Sequence, residues 1–147
     1  MVISLRPVTP EDRPFLLSLF ASSRPDLALL PTALVQMQFT SQEATYAGAT
    51  QSVVVVDGVD AGRLYLDGHH VVDITLAPQF RGRGIGTSLL QSLLEDHEPV
   101  SLTVACVNPA RALYERLGFR VVSDDGAYLS MLWTPRTEAL SCSRAVT

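Results

Sequence analysis

The chain has 147 residues, 47% of them apolar and 18% charged, with a formal net charge of -4. That length and balance fit one folded domain and exclude a disordered chain, and the acidic charge argues against a nucleic-acid protein, which shows a basic face. The N-terminus has no leader pattern and no window is apolar for the roughly eighteen residues a membrane span needs, so a cytoplasmic protein is expected.

Residues 2–8 alternate apolar and polar side chains and carry Pro7 near their end, as an edge-exposed first strand does. Thr9-Pro10-Glu11-Asp12 reads as a helix start, with a hydroxyl cap, a proline in the first turn and carboxylates behind it. Pro14 leaves a second choice open, with Asp12 as the cap and Pro14 at the second helical position. Phe15, Leu16, Leu19 and Phe20 then share one apolar face, and residues 22–31, with two prolines, form a connection. A second helix over 32–46 places Val35, Phe39 and Tyr46 on one face, with Gly48 just past its end. On that helix Gln38 and Gln42 are either a solvated or helix-packing pair or ligand contacts.

The run 53–56, the Asp57-Gly58 pair and the run 59–66 spell a hairpin, with Gly62 marking a bulge. Asp67-Gly68 turns the chain into a strand over 69–76, so the middle of the chain is an antiparallel meander. After Pro78 comes a loop with glycine at alternate positions, Gly82-Arg83-Gly84-Ile85-Gly86-Thr87. A helix follows, with Ile85, Leu89, Leu90, Leu93 and Leu94 at helical spacing through about residue 97, stopped by Pro99. The strand 100–107 is reached by that helical crossover. Asn108-Pro109 opens a further helix that Gly118 closes, and 119–122 with 127–133 form a last antiparallel pair. The domain is expected over 1–134, with a flexible tail over 135–147. Cys106 and Cys142 have neither metal-ligand spacing nor a disulfide framework around them, so no metal is expected.

The glycine loop carries the chemistry. Backbone N–H groups at a helix start favour an anion, and Arg81 and Arg83 add positive charge, so the stretch reads as a pyrophosphate cradle. A P-loop needs a lysine, and the chain has none. A dinucleotide fingerprint needs G-x-G-x-x-G at the start of a parallel sheet, whereas Gly82, Gly84 and Gly86 alternate after antiparallel strands.

Gln79-Phe80-Arg81-Gly82-Arg83-Gly84 resembles the Q/R-x-x-G-x-G/A acetyl-CoA signature of the GNAT superfamily, the Gcn5-related N-acetyltransferases. Leu5-Arg6-Pro7 with Thr9-Pro10-Glu11-Asp12 resembles that family's opening strand and first helix, and residues 108–119 resemble its second motif. The resemblance implies an α/β fold with a mixed, mostly antiparallel twisted sheet of six to seven strands flanked by about four helices. It implies transfer of an acetyl group from acetyl-CoA to a primary amine of a small molecule or peptide, by direct attack in a ternary complex. A homodimer is common in the family.

By the same resemblance, Ile74, Thr75 and Leu76 pair with the pantetheine arm as an added strand would, and Gly82, Gly84, Ile85, Gly86 and Thr87 hold the pyrophosphate through backbone N–H groups. Arg81 and Arg83 either reach phosphate or remain solvated charges. Tyr114 matches the general acid that protonates the departing thiolate, and a phenol stays protonated at neutral pH. Asn108 sits six residues before Tyr114 rather than the usual seven, so it is either a CoA contact or a helix cap. The strand glutamate of some members is replaced by Thr103. Asp73, amid Val71, Val72 and Ile74, is the expected proton acceptor, against a buried structural role; His70 is expected to be a partly exposed strand residue. Two alternatives stand beside this reading: a CoA-binding module without turnover, and transfer of a longer acyl group.

Overall fold

The turns set the frame. In the computed structural model, which describes residues 1–23 and 29–135, Asp57 and Gly58 both take positive φ, 51° and 83°. That is what a two-residue hairpin loop demands, so β2 (Thr50–Val56) folds back into β3 (Val59–Asp67). Gly68, at φ 61°, turns β3 into β4 (His70–Leu76).

With β1 (Ile3–Pro7), β5 (Val100–Ala105), β6 (Arg120–Asp124) and β7 (Tyr128–Trp133), the strands make one mixed seven-stranded sheet in the order β1-β2-β3-β4-β5-β7-β6. Four α-helices accompany it: α1 (Arg13–Ser23), α2 (Thr32–Thr45), α3 (Ile85–Leu94) and α4 (Ala110–Arg116). The chain divides into two units, Met1–Asp67 with Asp73–Ile85 and Gly68–Val72 with Gly86–Thr147.

In the first unit β1, β2 and β3 are antiparallel, with Leu5 opposite Val54 and Val54 opposite Gly62. The register then slips, so that Val55 faces Asp60 and Ala61 is the extra residue. The bulge expected at Gly62 therefore falls one residue earlier, and Gly62 has a different task. A Cβ built on it would lie 2.3 Å from the Thr75 carbonyl oxygen, so glycine is what lets β3 approach the end of β4. β2 is buried on both faces through Val53, Val54 and Val56. α1 packs on α2 and β3, where Phe20 and Phe39 meet edge to face at 5.4 Å.

The start of α1 settles the choice that Pro14 left open. Pro10–Asp12 form a short 3₁₀ turn and α1 begins at Arg13, which puts Pro14 at the second position, where no N–H is needed. Thr9 is the cap. The Asp12 carboxylate reaches back to the Thr9 N–H at 2.8 Å, while Arg6 grips it through Nη1 at 2.9 Å and Nη2 at 2.6 Å. The Arg6 guanidinium, and next the Thr9 N–H, hold the Asp12 carboxyl well below the usual carboxylate range.

In the second unit β4 and β5 are parallel, His70 beside Ser101 and Val71 beside Leu102, while β7 is antiparallel to both β5 and β6. Val100, Leu102 and Val104 are buried and Thr103 is exposed, the alternation of a strand with one covered face. α3 stops at Leu94, earlier than its apolar repeat suggests, because His97 turns to positive φ (56°) and the chain must straighten before Pro99. Residues 24–28 and the expected tail beyond Pro135, with Cys142, lie outside the described residues.

Gly62→Ala is expected to destabilise the protein by about 1–3 kcal/mol, since the new methyl meets backbone that cannot swing away. Gly48→Ala, with nothing within 4 Å of its Cβ, is expected to stay within about 0.5 kcal/mol of the parent in urea unfolding. Equal costs at the two positions would contradict the close approach at Thr75.

Candidate active site

The first unit holds the strand end and the loop. Thr75 is buried, Ile74 and Leu76 are half-buried, and Asp73 keeps 18% of its side chain exposed. The Thr75 hydroxyl donates to Asp73 Oδ1 at 2.8 Å, and Asp73 Oδ2 accepts from Arg63 Nη1 at 3.2 Å. Asp73 is thus a paired carboxylate.

Past β4, Pro78–Phe80 form a 3₁₀ turn that buries Phe80. This anchors the loop behind it. Arg81 folds back, its Nε donating to the Leu76 carbonyl at 3.0 Å, and Arg83 lies over the Phe80 ring at 5.5 Å. Gly82 and Gly84 take positive φ, 75° and 79°, which disfavours any other residue there. Ile85 is buried and begins α3, fixing the loop's far end.

The second unit holds the remaining expected residues. Gly86 and Thr87 lie in the first turn of α3, half-buried. Gly86 has no positive φ, and a Cβ on it would meet nothing within 4 Å. The fold itself does not demand glycine there. Asn108 Oδ1 accepts from the Ala110 N–H at 2.9 Å, the bond of a helix cap. Tyr114, on α4, is half-buried with its ring 6.0 Å from that of Phe119. His70 Nδ1 lies 2.8 Å from Ser101 Oγ, and His69 Nε2 lies 3.6 Å from Asp96.

One group escaped the sequence reading. Arg63, in the middle of β3, has 0% exposure and binds Asp73, Gln42 and Gln51. Burial pushes its pKa down, and Asp73 opposes that shift. The available signal was an arginine directly before the apolar run 64–66, with Asp73 in the strand that follows. Gln42, singled out from its helical spacing, turns out to be a partner of Arg63, whereas Gln38 is exposed.

Among the described residues no group of three His, Cys, Asp or Glu side chains could hold a metal ion, and no helix is long and apolar enough to cross a membrane.

Comparison with known proteins adds a family and a set of similar folds. A family model for the acetyltransferase (GNAT) domain matches residues 43–121. The PaiA N-acetyltransferase of Thermoplasma acidophilum, solved in complex with coenzyme A, is similar with a TM-score of 0.65 at 15% identity, over 91% of this chain and 99% of that one. An acetyltransferase from Thermus thermophilus aligns with a TM-score of 0.70 at 23% identity, over 91% and 97% of the two chains. YjaB from Escherichia coli, in its apo form, gives 0.64 at 24% identity over 90% and 98%. At these identities the likeness speaks for the fold. No curated protein matches the sequence.

Cys106 stands apart from this set. Burial pushes its thiol pKa up, and Asp124, whose Oδ1 lies 3.7 Å from the sulfur, pushes it further. In a Cys142→Ser background, iodoacetamide at pH 8 is expected to label Cys106 more slowly than free cysteine, and Asp124→Asn to speed the labelling. Labelling faster than free cysteine would contradict this environment.

Proposed function

The chain belongs to the GNAT acetyltransferases, a family of acyltransferases, and we propose that it moves an acetyl group from acetyl-CoA to a primary amine of a small molecule or peptide by direct attack in a ternary complex. The observation that carries this reading is the loop. Two glycines at positive φ are followed by a third, Gly86, whose freedom from a side chain the fold does not need. Close approach of a ligand to the backbone explains a glycine there.

In this reading the N–H groups of residues 82–87 hold the pyrophosphate, with Arg81 and Arg83 as flanking charges. Ile74, Thr75 and Leu76 pair with pantetheine, and the Asn108 side-chain N–H₂ is a further donor. The CoA bound to the PaiA enzyme, which shares the fold, supports that choice of ligand.

The acceptor reaches the enzyme as an ammonium ion at neutral pH and must lose a proton before it can attack. Water collects that proton. The amine nitrogen then bonds to the thioester carbonyl carbon, and backbone N–H groups stabilise the oxyanion that forms. As the C–S bond breaks, the nitrogen gives up a second proton to solvent, and Tyr114 donates its phenolic proton to the thiolate and regains one from solvent. The net result is an amide, a free thiol and one proton released to solvent, with no covalent enzyme intermediate. Binding of CoA without turnover is the second reading, favoured by the exposed Thr103 at the position where some members carry a glutamate.

Gly86→Ala separates fold from function. Replacing a helical glycine is expected to raise stability by about 0.5–1 kcal/mol. CoA affinity, read by calorimetry, is expected to fall by about tenfold. Affinity unchanged in the variant would remove the loop from the site.

Tyr114→Phe tests turnover, read as thiol release from acetyl-CoA with spermidine, kanamycin, L-lysine and a lysine-bearing tetrapeptide. Its rate is expected to fall by about 10²–10⁴-fold with CoA affinity kept. An undiminished rate would strip Tyr114 of its role, and a wild type inert to a broad panel would favour the binding module.

A further inference from the structure

A strand that runs past its ladder depends on its side chains to hold its end. In the second unit the β4–β5 ladder pairs His70 with Ser101 and Val71 with Leu102. Among the described residues it extends no further, whereas β4 itself continues to Leu76. Strand ends of that kind open locally before the rest of a fold does.

In the first unit a series of side chains grips this end from one face. Asp73 and Thr75 stand two apart and so project from the same side of β4. The buried Thr75 hydroxyl donates to Asp73 Oδ1 at 2.8 Å, and Asp73 Oδ2 accepts from Arg63 Nη1 at 3.2 Å. Arg63 is a fixed point. It has no exposed surface, and its guanidinium carbon lies 4.9 Å from the Phe39 ring centroid and 4.6 Å from that of Tyr65. Its Nε donates to Gln51 Oε1 at 3.0 Å and its Nη2 to Gln42 Oε1 at 2.9 Å. Glu43 accepts from Gln51 Nε2 at 3.2 Å, which leaves the amide oxygen turned to the arginine. On the backbone side, Gly62 admits β3 against the Thr75 carbonyl, and the Ala77 N–H donates to the Ala61 carbonyl at 2.8 Å.

Asp73 suits proton acceptance poorly in this setting, because protonating it would leave a buried guanidinium without its counter-charge. As an anchor between Arg63 and Thr75 the same carboxylate is well used.

We propose that Arg63, Asp73 and Thr75 are positioning residues for coenzyme A. The guanidinium holds Asp73, Asp73 holds the Thr75 hydroxyl, and the backbone of residues 74–76 is thereby kept extended for the pantetheine arm. A strand end ordered in advance binds without the cost of ordering it, and apparent affinity falls in proportion to the fraction of molecules that keep it ordered. This assigns Asp73 a role other than the proton acceptor expected from the sequence. It rests on the acyl-CoA reading, in which residues 74–76 meet that arm.

Calorimetry with two ligands separates the strand end from the glycine loop. One is coenzyme A; the other is 3′-phosphoadenosine 5′-diphosphate, which keeps the pyrophosphate and lacks the pantetheine arm. In Thr75→Val, which keeps the shape of the side chain, and in Asp73→Asn, affinity for coenzyme A is expected to fall about tenfold. Affinity for the nucleotide is expected to stay within about twofold. Unchanged affinity for coenzyme A overturns the proposal, and so do equal losses for both ligands, which report a general loss of fold. Without ligand, hydrogen exchange over residues 73–77 is expected to speed up about tenfold in both variants, with residues 85–94 at wild-type rates. Wild-type exchange at 73–77 in both overturns the proposal.

The double variant Arg63→Met with Asp73→Leu removes both charges together. It strands no charge, so it is expected to melt above Asp73→Asn, while its affinity for coenzyme A stays low because the Thr75 hydroxyl has lost its acceptor. Recovery of both would make the pair a support of the fold alone and overturn the proposal. Turnover lost in Asp73→Asn, with exchange and both affinities at wild-type values, would place Asp73 in the chemistry and overturn it too. A wild type that binds both ligands equally has no arm contact to position, which also overturns it. A wild type that binds neither removes the acyl-CoA reading and the proposal with it, and that result is distinguishable because it appears in the unaltered protein.

Discussion

A guanidinium with no exposed surface has to be paired, and the first unit is arranged around that requirement. Arg63 cannot shed its proton at any accessible pH, so its burial is tolerable only because a carboxylate, two amide oxygens and two aromatic faces converge on it. Those groups come from α2, β2, β3 and β4. Satisfying one cation therefore fixes the order in which these elements lie against each other. An apolar side chain could fill the space with equal or greater stability, but it would not specify which amide and which carboxylate meet.

The same unit also fixes the route into the glycine loop. Gly62 lets β3 come against Thr75, the Ala61 carbonyl accepts from the Ala77 N–H at 2.8 Å, and Phe80 is buried in the turn that follows. The strand end and the loop are thus held from behind, while the loop's own glycines are exposed or half-buried and uncrowded. Rigid support under an accessible backbone is the arrangement that phosphate binding through N–H groups requires.

Much of this was legible from the chain. Asp57-Gly58 and Asp67-Gly68 announced their turns because only a few residue types accept positive φ, and the apolar repeat from Ile85 announced α3. The strand register was not legible, since the bulge at Ala61 depends on how β3 meets its neighbours. Asp73 shows the limit most clearly. A carboxylate in an apolar strand signals either chemistry or a partner, and its partner lies ten positions away on another strand. The burial of Arg63 was not legible from β3 alone, since Phe39, which helps to enclose it, comes from α2. Asn108 stood open between a CoA contact and a cap, and its Oδ1 accepts from the Ala110 N–H at the start of α4.

The central claim is that the backbone from β4 into α3 grips an acyl-CoA. It is tested most directly by titrating ¹⁵N-labelled protein with coenzyme A and following each amide by NMR. The account predicts that the largest shifts fall on residues 74–76 and 82–87 and saturate together at one molar equivalent per chain. Saturating shifts confined to other residues, or none at all with coenzyme A in excess, would contradict it.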